Sequence, residues 1–132
     1  MNPVEEVARY ALMAYLVLVA MLWGSFINLA ADRLPRRESV VRPRSHCRSC
    51  GRILNLVDLI PVGGYLLRSG RCASCRVQIG AASPVVEAAC GASMLVSLLL
   101  LGPFAGALLG AALALLIGAL MVGLSFGRSS GG

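Results

Sequence analysis

The hydrophobic pattern divides the chain into two long apolar stretches with a polar stretch between them. Residues 10–31 carry no charged side chain over 22 positions, which is enough for a helix to cross the hydrocarbon core of a bilayer. Residues 88–127 form a second uncharged stretch of 40 positions, and the Gly102-Pro103 pair within it is typical of a turn. The pattern therefore predicts an all-α membrane protein with three transmembrane helices, over residues 10–31, about 84–101 and 104–126.

The same pattern predicts four consecutive regions. They are an N-terminal segment with the first transmembrane helix (1–31), a polar cytoplasmic loop (32–82), a transmembrane helical hairpin (83–127) and a cytoplasmic tail (128–132). Residues 1–31 could alternatively be a cleavable signal peptide, with Ala30-Ala31 at the cleavage site. Glu5 and Glu6 replace the positive n-region of such a peptide, and the apolar run is too long for one, so a retained helix is favoured.

Small residues recur every four positions along two of these helices. Ala20, Gly24 and Asn28 share one face of the first helix, and small-residue faces pack helices closely in membranes. Asn28 is expected to face protein, or to meet water near the interface. The last helix carries a similar stripe, although a segment so rich in Ala and Gly can produce one by composition alone: Gly106, Gly110, Ala114 and Gly118.

Composition and charge support a membrane protein with a basic loop. Hydrophobic residues make up 58% of the chain and the mean hydropathy is +0.80, which is high for a soluble domain. All twelve basic residues are arginine, and ten of them lie in residues 32–82 beside only three acids. Arginine-rich loops stay in the cytoplasm, so we expect an inner-membrane protein with its N-terminus outside and its C-terminus inside. Nucleic-acid binding is disfavoured, because Tyr65 is the loop's only aromatic residue.

Two C-x-x-C pairs supply the candidate chemistry. Cys47/Cys50 and Cys72/Cys75 have the spacing of four-thiolate zinc sites, and Gly51 suits the turn after the first pair. Two disulfides are the alternative, which a reducing cytoplasm disfavours. His46 is interpreted as a bystander rather than a ligand. The fifth cysteine, Cys90, lies within an apolar stretch and is expected to be a small apolar filler.

Several short motifs occur in a fixed order around the cysteines. Residues 24–28 read GSFIN, 33–35 RLP, 58–61 DLIP, 66–72 LLRSGRC and 83–87 SPVVE. Over about residues 23–91 the chain resembles the N-terminal region of bacterial prepilin peptidases, the type IV leader peptidases. The resemblance implies an inner-membrane enzyme that cleaves the leaders of type IV prepilins and pseudopilins and N-methylates the new N-terminus with S-adenosylmethionine. The cysteine-bearing loop would then be associated with methylation.

The sequence departs from that family in its carboxylates. Cleavage in the family depends on two aspartates near the ends of later helices, the second in a GxGD motif, and no aspartate follows Asp58 here. An Asp58/Glu87 pair is disfavoured as a substitute, because the surrounding arginines would keep Asp58 ionised whereas a dyad shares a proton. Both carboxylates are instead expected to pair with loop arginines. No catalytic residue is therefore assigned.

Three hypotheses follow from that departure. The chain is one part of a split processing enzyme whose aspartates lie on a GxGD-bearing chain, or a non-catalytic zinc-containing adaptor that docks prepilins or a full-length peptidase, or an inert remnant. The expected partners are the lipid bilayer, the N-terminal segments of prepilins or pseudopilins, and that second peptidase chain. Zinc is the expected metal, and no glycine-rich nucleotide loop supports a methyl-donor site.

Overall fold

The computed structural model describes residues 2–130, so Met1 and the Gly131-Gly132 end of the predicted tail lie outside the described part. Helix α1 spans Pro3–Arg33, a 3-10 turn spans Leu34–Arg36, the short helix α2 spans Gly63–Leu67 and α3 spans Ala82–Ser130. No strand occurs in residues 2–130, where two isolated bridges, His46 with Ile53 and Arg71 with Gln78, are the extended pairings. The protein is therefore mostly helical, as predicted.

Capping groups and proline set both ends of α1. The side chain of Asn2 accepts a hydrogen bond from the backbone N–H of Val4 at 3.2 Å, and Pro3 occupies the first helical turn. The helix tightens into the 3-10 turn at Pro35, and Arg37 then adopts a left-handed conformation (φ 58°) that stops it. The helix thus begins seven residues before the apolar run that predicted it.

Helix α3 consists of two arms that fold back on each other. Gly102 has φ 78° and ψ −178°, which no helix contains, and Pro103 follows it. A Cβ atom placed on Gly106 would lie 2.5 Å from the carbonyl oxygen of Ser97 and 2.6 Å from the Cα atom of Leu98. Residues nine positions apart in a straight helix would be about 13 Å apart. The chain therefore reverses at Gly102-Pro103, the pair at which the sequence predicted a turn, and its two arms cover residues 82–101 and 103–130.

The predicted small-residue faces form the contacts among the three helical segments. A Cβ atom on Gly24 would come within 3.0 Å of the Cα atom of Glu87, so α1 and the first arm touch backbone to backbone there. On the second arm, Gly110 faces Met94 and Gly118 faces Ile27. Ala20 and Ala114 are buried, whereas Asn28 is half-buried. Close approach of this kind is possible only where side chains are absent or small.

Two helices, over Pro3–Arg36 and Ala82–Arg128, are long and apolar enough to cross a membrane. Few of their side chains are covered by protein: 22% of the most apolar window of the first is buried, and 17% of that of the second. Leu98 and Cys90 are the fully buried members of a small core between the helices. Exposed leucine, valine and phenylalanine along both helices is consistent with a membrane location.

Candidate metal centre

Two copies of one backbone turn, 25 residues apart, present the cysteines. The N–H of Cys47 donates to the carbonyl of Arg52 (2.8 Å), and the N–H of Cys72 donates to the carbonyl of Val77 (3.0 Å). The carbonyls of Cys47 and Cys72 in turn accept from the residue four positions later in each turn. That residue is left-handed in both, Gly51 at φ 73° and Arg76 at φ 60°. The sequence indicated the first turn through Gly51, whereas Arg76 at the same position of the second turn gave no such signal.

The two turns bring all four cysteine sulfurs together. The Sγ atoms of Cys47 and Cys75 are 3.7 Å apart, and those of Cys50 and Cys72 are 3.9 Å apart. All four sulfurs lie within 4.8 Å of one another, and the cluster could hold a metal ion. Sulfurs bound tetrahedrally to zinc at about 2.3 Å would be about 3.8 Å apart, so the spacing fits that ion. None of the chain's five cysteines forms a disulfide.

The backbone of each turn also aims N–H groups at the sulfurs. The N–H groups of Cys75 and Ser74, together with the guanidinium of Arg52, lower the pKa of Cys72 to about 6. The N–H of Arg52 acts in the same direction on Cys50, but desolvation and the neighbouring thiols outweigh it and raise the pKa of Cys50 to about 11. Adjacent thiolates repel one another, so a bound cation would be needed for all four to be ionised together.

An ion-pair network joins the metal centre to the apolar part of the loop. The carboxylate of Asp58, 7% exposed, accepts from Arg52 at 2.6 Å and from Arg68 at 2.9 Å. Burial alone would raise the pKa of Asp58, but the Asn55 N–H and both arginines outweigh burial and lower it. Arg52 also contacts Cys72, so one guanidinium bridges a sulfur and a carboxylate. The expected arginine pair of Asp58 is therefore present.

The partners of Glu87 differ from those predicted. Its carboxylate is buried and accepts from the backbone N–H of Val62 at 2.6 Å and from the Ser83 hydroxyl at 2.8 Å. Among the described residues it forms no ion pair, so the expected arginine partner was wrong. A carboxylate satisfies a buried backbone donor as well as it pairs with a cation, and sequence spacing does not distinguish the two.

Arg33 is a structural residue that the sequence analysis missed. Its side chain is buried, and one terminal nitrogen donates to the carbonyls of Ser39 (2.8 Å) and Pro43 (2.9 Å). It thereby holds the first part of the loop against the end of α1. Asp32 pairs with Arg36 and Arg48 on the surface of the same region. The only sequence signal for this role is the arginine's position at the helix end.

The two residues set aside as non-ligands lie outside the cluster. His46 is exposed, and its ring Nδ1 lies 2.9 Å from the carbonyl oxygen of Arg44. Cys90 is fully buried among Val86, Met94 and other core residues of the helices, as expected for an apolar filler. Neither belongs to the group of residues that could hold a metal.

Comparison with known proteins shows the family to which the cysteine-bearing region is similar. The family described as Bacterial Peptidase A24 N-terminal domain matches residues 18–101. Similar proteins include prepilin leader peptidase/N-methyltransferases of Burkholderia pseudomallei (34% identical; 73% of this chain, 39% of the relative) and Myxococcus xanthus (38%; 55% and 22%). A third, from Bacillus subtilis, is 34% identical over 58% of this chain and 31% of its own length. The chain thus spans two fifths or less of these relatives. No solved structure matches it.

Proposed function

Because the chain belongs to the bacterial peptidase A24 N-terminal domain family, we propose that it acts in the processing of type IV prepilins or pseudopilins. Its part in that process is to supply a membrane-held, zinc-bearing cytoplasmic loop. The observation that carries this proposal is the cluster of four sulfurs built from two identical turns within the family match. The relatives that the chain matches are named for leader cleavage and N-methylation.

The proposed zinc ligands are Cys47, Cys50, Cys72 and Cys75. Four thiolates leave no open coordination position, so the ion would stabilise the fold and would not activate water. Binding would join the two cysteine turns, which are otherwise linked by a 21-residue segment and by the contact of Arg52 with Cys72. Metal analysis of purified protein should give about one zinc per chain. A Cys47→Ser/Cys72→Ser variant that keeps its zinc would refute the assignment, and Cys90→Ser is the matched control.

The proposed arrangement has three membrane spans, formed by α1 and the two arms of α3. Ten loop arginines and Arg128 favour placing the loop and the C-terminal end in the cytoplasm. An impermeant reagent applied to intact cells should label a tag placed before Glu5 and miss tags in the loop and after Gly132. Labelling of the loop tag from outside would show the reverse orientation.

Leader cleavage is proposed to use carboxylates outside these 132 residues. Asp58 is held ionised by two arginines, and Glu87 is bound to a backbone N–H and a hydroxyl. Neither is available to share a proton and activate a water, as an aspartyl mechanism requires. The aspartates would therefore come from a GxGD-bearing segment that acts with this one.

A reconstituted cleavage assay tests that division. Prepilin should be left intact by this chain in liposomes and lose its leader once a GxGD-bearing segment is added. If that segment cleaves equally well without this chain, the result favours a non-catalytic adaptor. Binding of this chain to prepilin or to full-length peptidase would then be the measurement that tests the adaptor. Cleavage by this chain alone that disappears in Asp58→Asn would overturn the proposal.

Methyl transfer from S-adenosylmethionine stays an implication of the family. A cavity of about 210 Å³ lies between the end of α1 and the loop, lined in part by Leu29, Arg33 and Pro43. That volume is below the range typical of small-molecule sites, about 300–1,000 Å³. The proposal therefore assigns no residue to the methyl donor.

A further inference from the structure

The uncharged part of the first arm of α3 is shorter than a bilayer core is thick, so the span formed by this arm includes Glu87. The arm has 14 uncharged residues between Glu87 and Gly102, which span about 21 Å as a helix, whereas the core is about 30 Å thick. The uncharged runs of α1 and of the second arm have 22 and 25 residues, about 33 and 37 Å. The three segments pack side by side, so the uncharged part of the first arm ends, at Glu87, below the surface that the other two reach.

Contacts between the helices show the depth of Glu87 relative to α1. Gly24 of α1 and Glu87 touch backbone to backbone, so they lie at the same level. Helix α1 continues nine residues beyond Gly24 to Arg33, about 14 Å further. The backbone N–H of Val62 is hydrogen-bonded to the Glu87 carboxylate at 2.6 Å. The loop therefore descends alongside α1, well below the level of Arg33, to reach Glu87 in the first arm.

The descending segment exposes large apolar side chains rather than polar ones. Leu56 is 83% exposed, and Leu66 and Leu67 are 67% and 68% exposed. Ile60 is also about half exposed. Water would be an unfavourable environment for this concentration of leucine within twelve residues, whereas acyl chains would be a favourable one.

In the central part of the same segment, residues 58–64, the backbone N–H groups meet the requirement that lipid imposes. Every N–H from residue 58 to residue 64 has an acceptor, although most of the segment is not helical. Asp58 donates to the Asn55 side chain, Val62 to Glu87, and the others to carbonyls two to four residues earlier, while Pro61 has no N–H to satisfy. Donors without partners are tolerated where water reaches them but are excluded from a hydrocarbon environment.

We infer that residues 56–67 form a re-entrant element embedded in the leaflet next to the cysteine-bearing loop. Its ligand is the acyl-chain region of the phospholipids, and it lies at the depth between Glu87 and Arg33. The one charged side chain in the element, Asp58, is neutralised by two arginines, Arg52 and Arg68, whose long stems allow their charges to reach the headgroups. The inference rests on the membrane-spanning arrangement proposed above.

Single-tryptophan reporters in liposomes test the inference. In a Trp23→Phe background, Leu56→Trp and Leu66→Trp report on the element, and both substitutions exchange one exposed apolar side chain for another. Val41→Trp is the matched control, since Val41 is 75% exposed in the same loop but lies within the Ser39–Pro43 segment held by Arg33. Lipids brominated on their acyl chains should quench both reporters several-fold more than the control. Aqueous iodide should quench only the control.

A reporter in the second arm separates this inference from the membrane arrangement. Leu116 is about half exposed in the middle of that arm, and Leu116→Trp should be quenched by brominated lipid. Quenching of Leu116→Trp together with iodide quenching of Leu56→Trp and Leu66→Trp would overturn the re-entrant element and leave the spans intact. Loss of lipid quenching at Leu116→Trp would overturn both.

Discussion

Replacing Asp58 with asparagine should loosen the whole cysteine-bearing loop. The substitution keeps the side chain's shape but removes the charge that two arginines share. The carboxylate is 7% exposed, whereas Arg52 and Arg68 are 22% and 32% exposed. Water can therefore solvate the two arginines in part once their partner's charge is removed. Removing one partner of a fully buried pair costs about 3–5 kcal/mol, and a charged hydrogen bond contributes about 1.5–3 kcal/mol. We therefore expect a loss of about 2–4 kcal/mol of loop stability.

Amide hydrogen exchange in lipid nanodiscs measures that loss where it arises. The N–H groups of Cys47 and Cys72 are bonded within the loop and should exchange through its opening. Each 1.36 kcal/mol changes that equilibrium tenfold, so exchange in Asp58→Asn should be about 30-fold to several-hundred-fold faster. Peptides from α1 should keep their wild-type rates, because Asp58 has no bond to that helix.

Asp32→Asn is the control, since Asp32 also pairs with two arginines but is 40% exposed. Ion pairs at that exposure contribute about 0–1 kcal/mol, which corresponds to at most about fivefold faster exchange. Equal acceleration in the two variants would refute the reasoning, because it would mean that burial of the Asp58 carboxylate adds nothing. A rate in Asp58→Asn within threefold of wild type would refute it equally.

Three further predictions concern the loop and the helix seam. The pKa of Asp58 is lowered in the folded state, so its contribution to loop stability should be complete above about pH 4 and lost as pH falls through the folded-state pKa. Amide exchange in Asp58→Asn should lack this acid dependence. Arg76→Gly should raise loop stability by about 1 kcal/mol in the same exchange assay, because a left-handed residue other than glycine is strained, whereas Gly51→Ala should lower it by a similar amount. Gly24→Ala should lower the thermal midpoint in detergent, because its Cβ would meet backbone at 3.0 Å, whereas Gly123→Ala has open space and should leave the midpoint unchanged or raise it.

Local spacing explains what the sequence predicted well. Two C-x-x-C pairs place two sulfurs on each turn whatever surrounds them, so the cluster of four could be anticipated. The reversal at Gly102-Pro103 is equally local, since its backbone angles are available to glycine and not to a helix. Small residues at every fourth position predicted the close contacts at Gly24 and Gly118 for the same reason.

Tertiary pairing explains what the sequence did not predict. Ten arginines and three acids in one loop allow many ion pairs, and only the fold selects Arg52 and Arg68 for Asp58. Glu87 was assigned an arginine because charge alone was visible, whereas its partner is a backbone N–H 25 residues away. Arg33 binds carbonyls, which every residue carries, so no residue type marks its partners in advance.

The repetition of one turn after 25 residues bears on how the protein is made. Each turn closes through bonds no more than five residues apart, so each can form as soon as it is synthesised. Joining them closes a 25-residue loop at about 3 kcal/mol of chain entropy, which a bound ion would offset. At about 5–20 residues per second, Cys75 is added roughly 3–11 s before Ser130. A metal ion could thus be captured by the nascent chain before α3 exists, and metal starvation during translation should be more damaging than chelation afterwards.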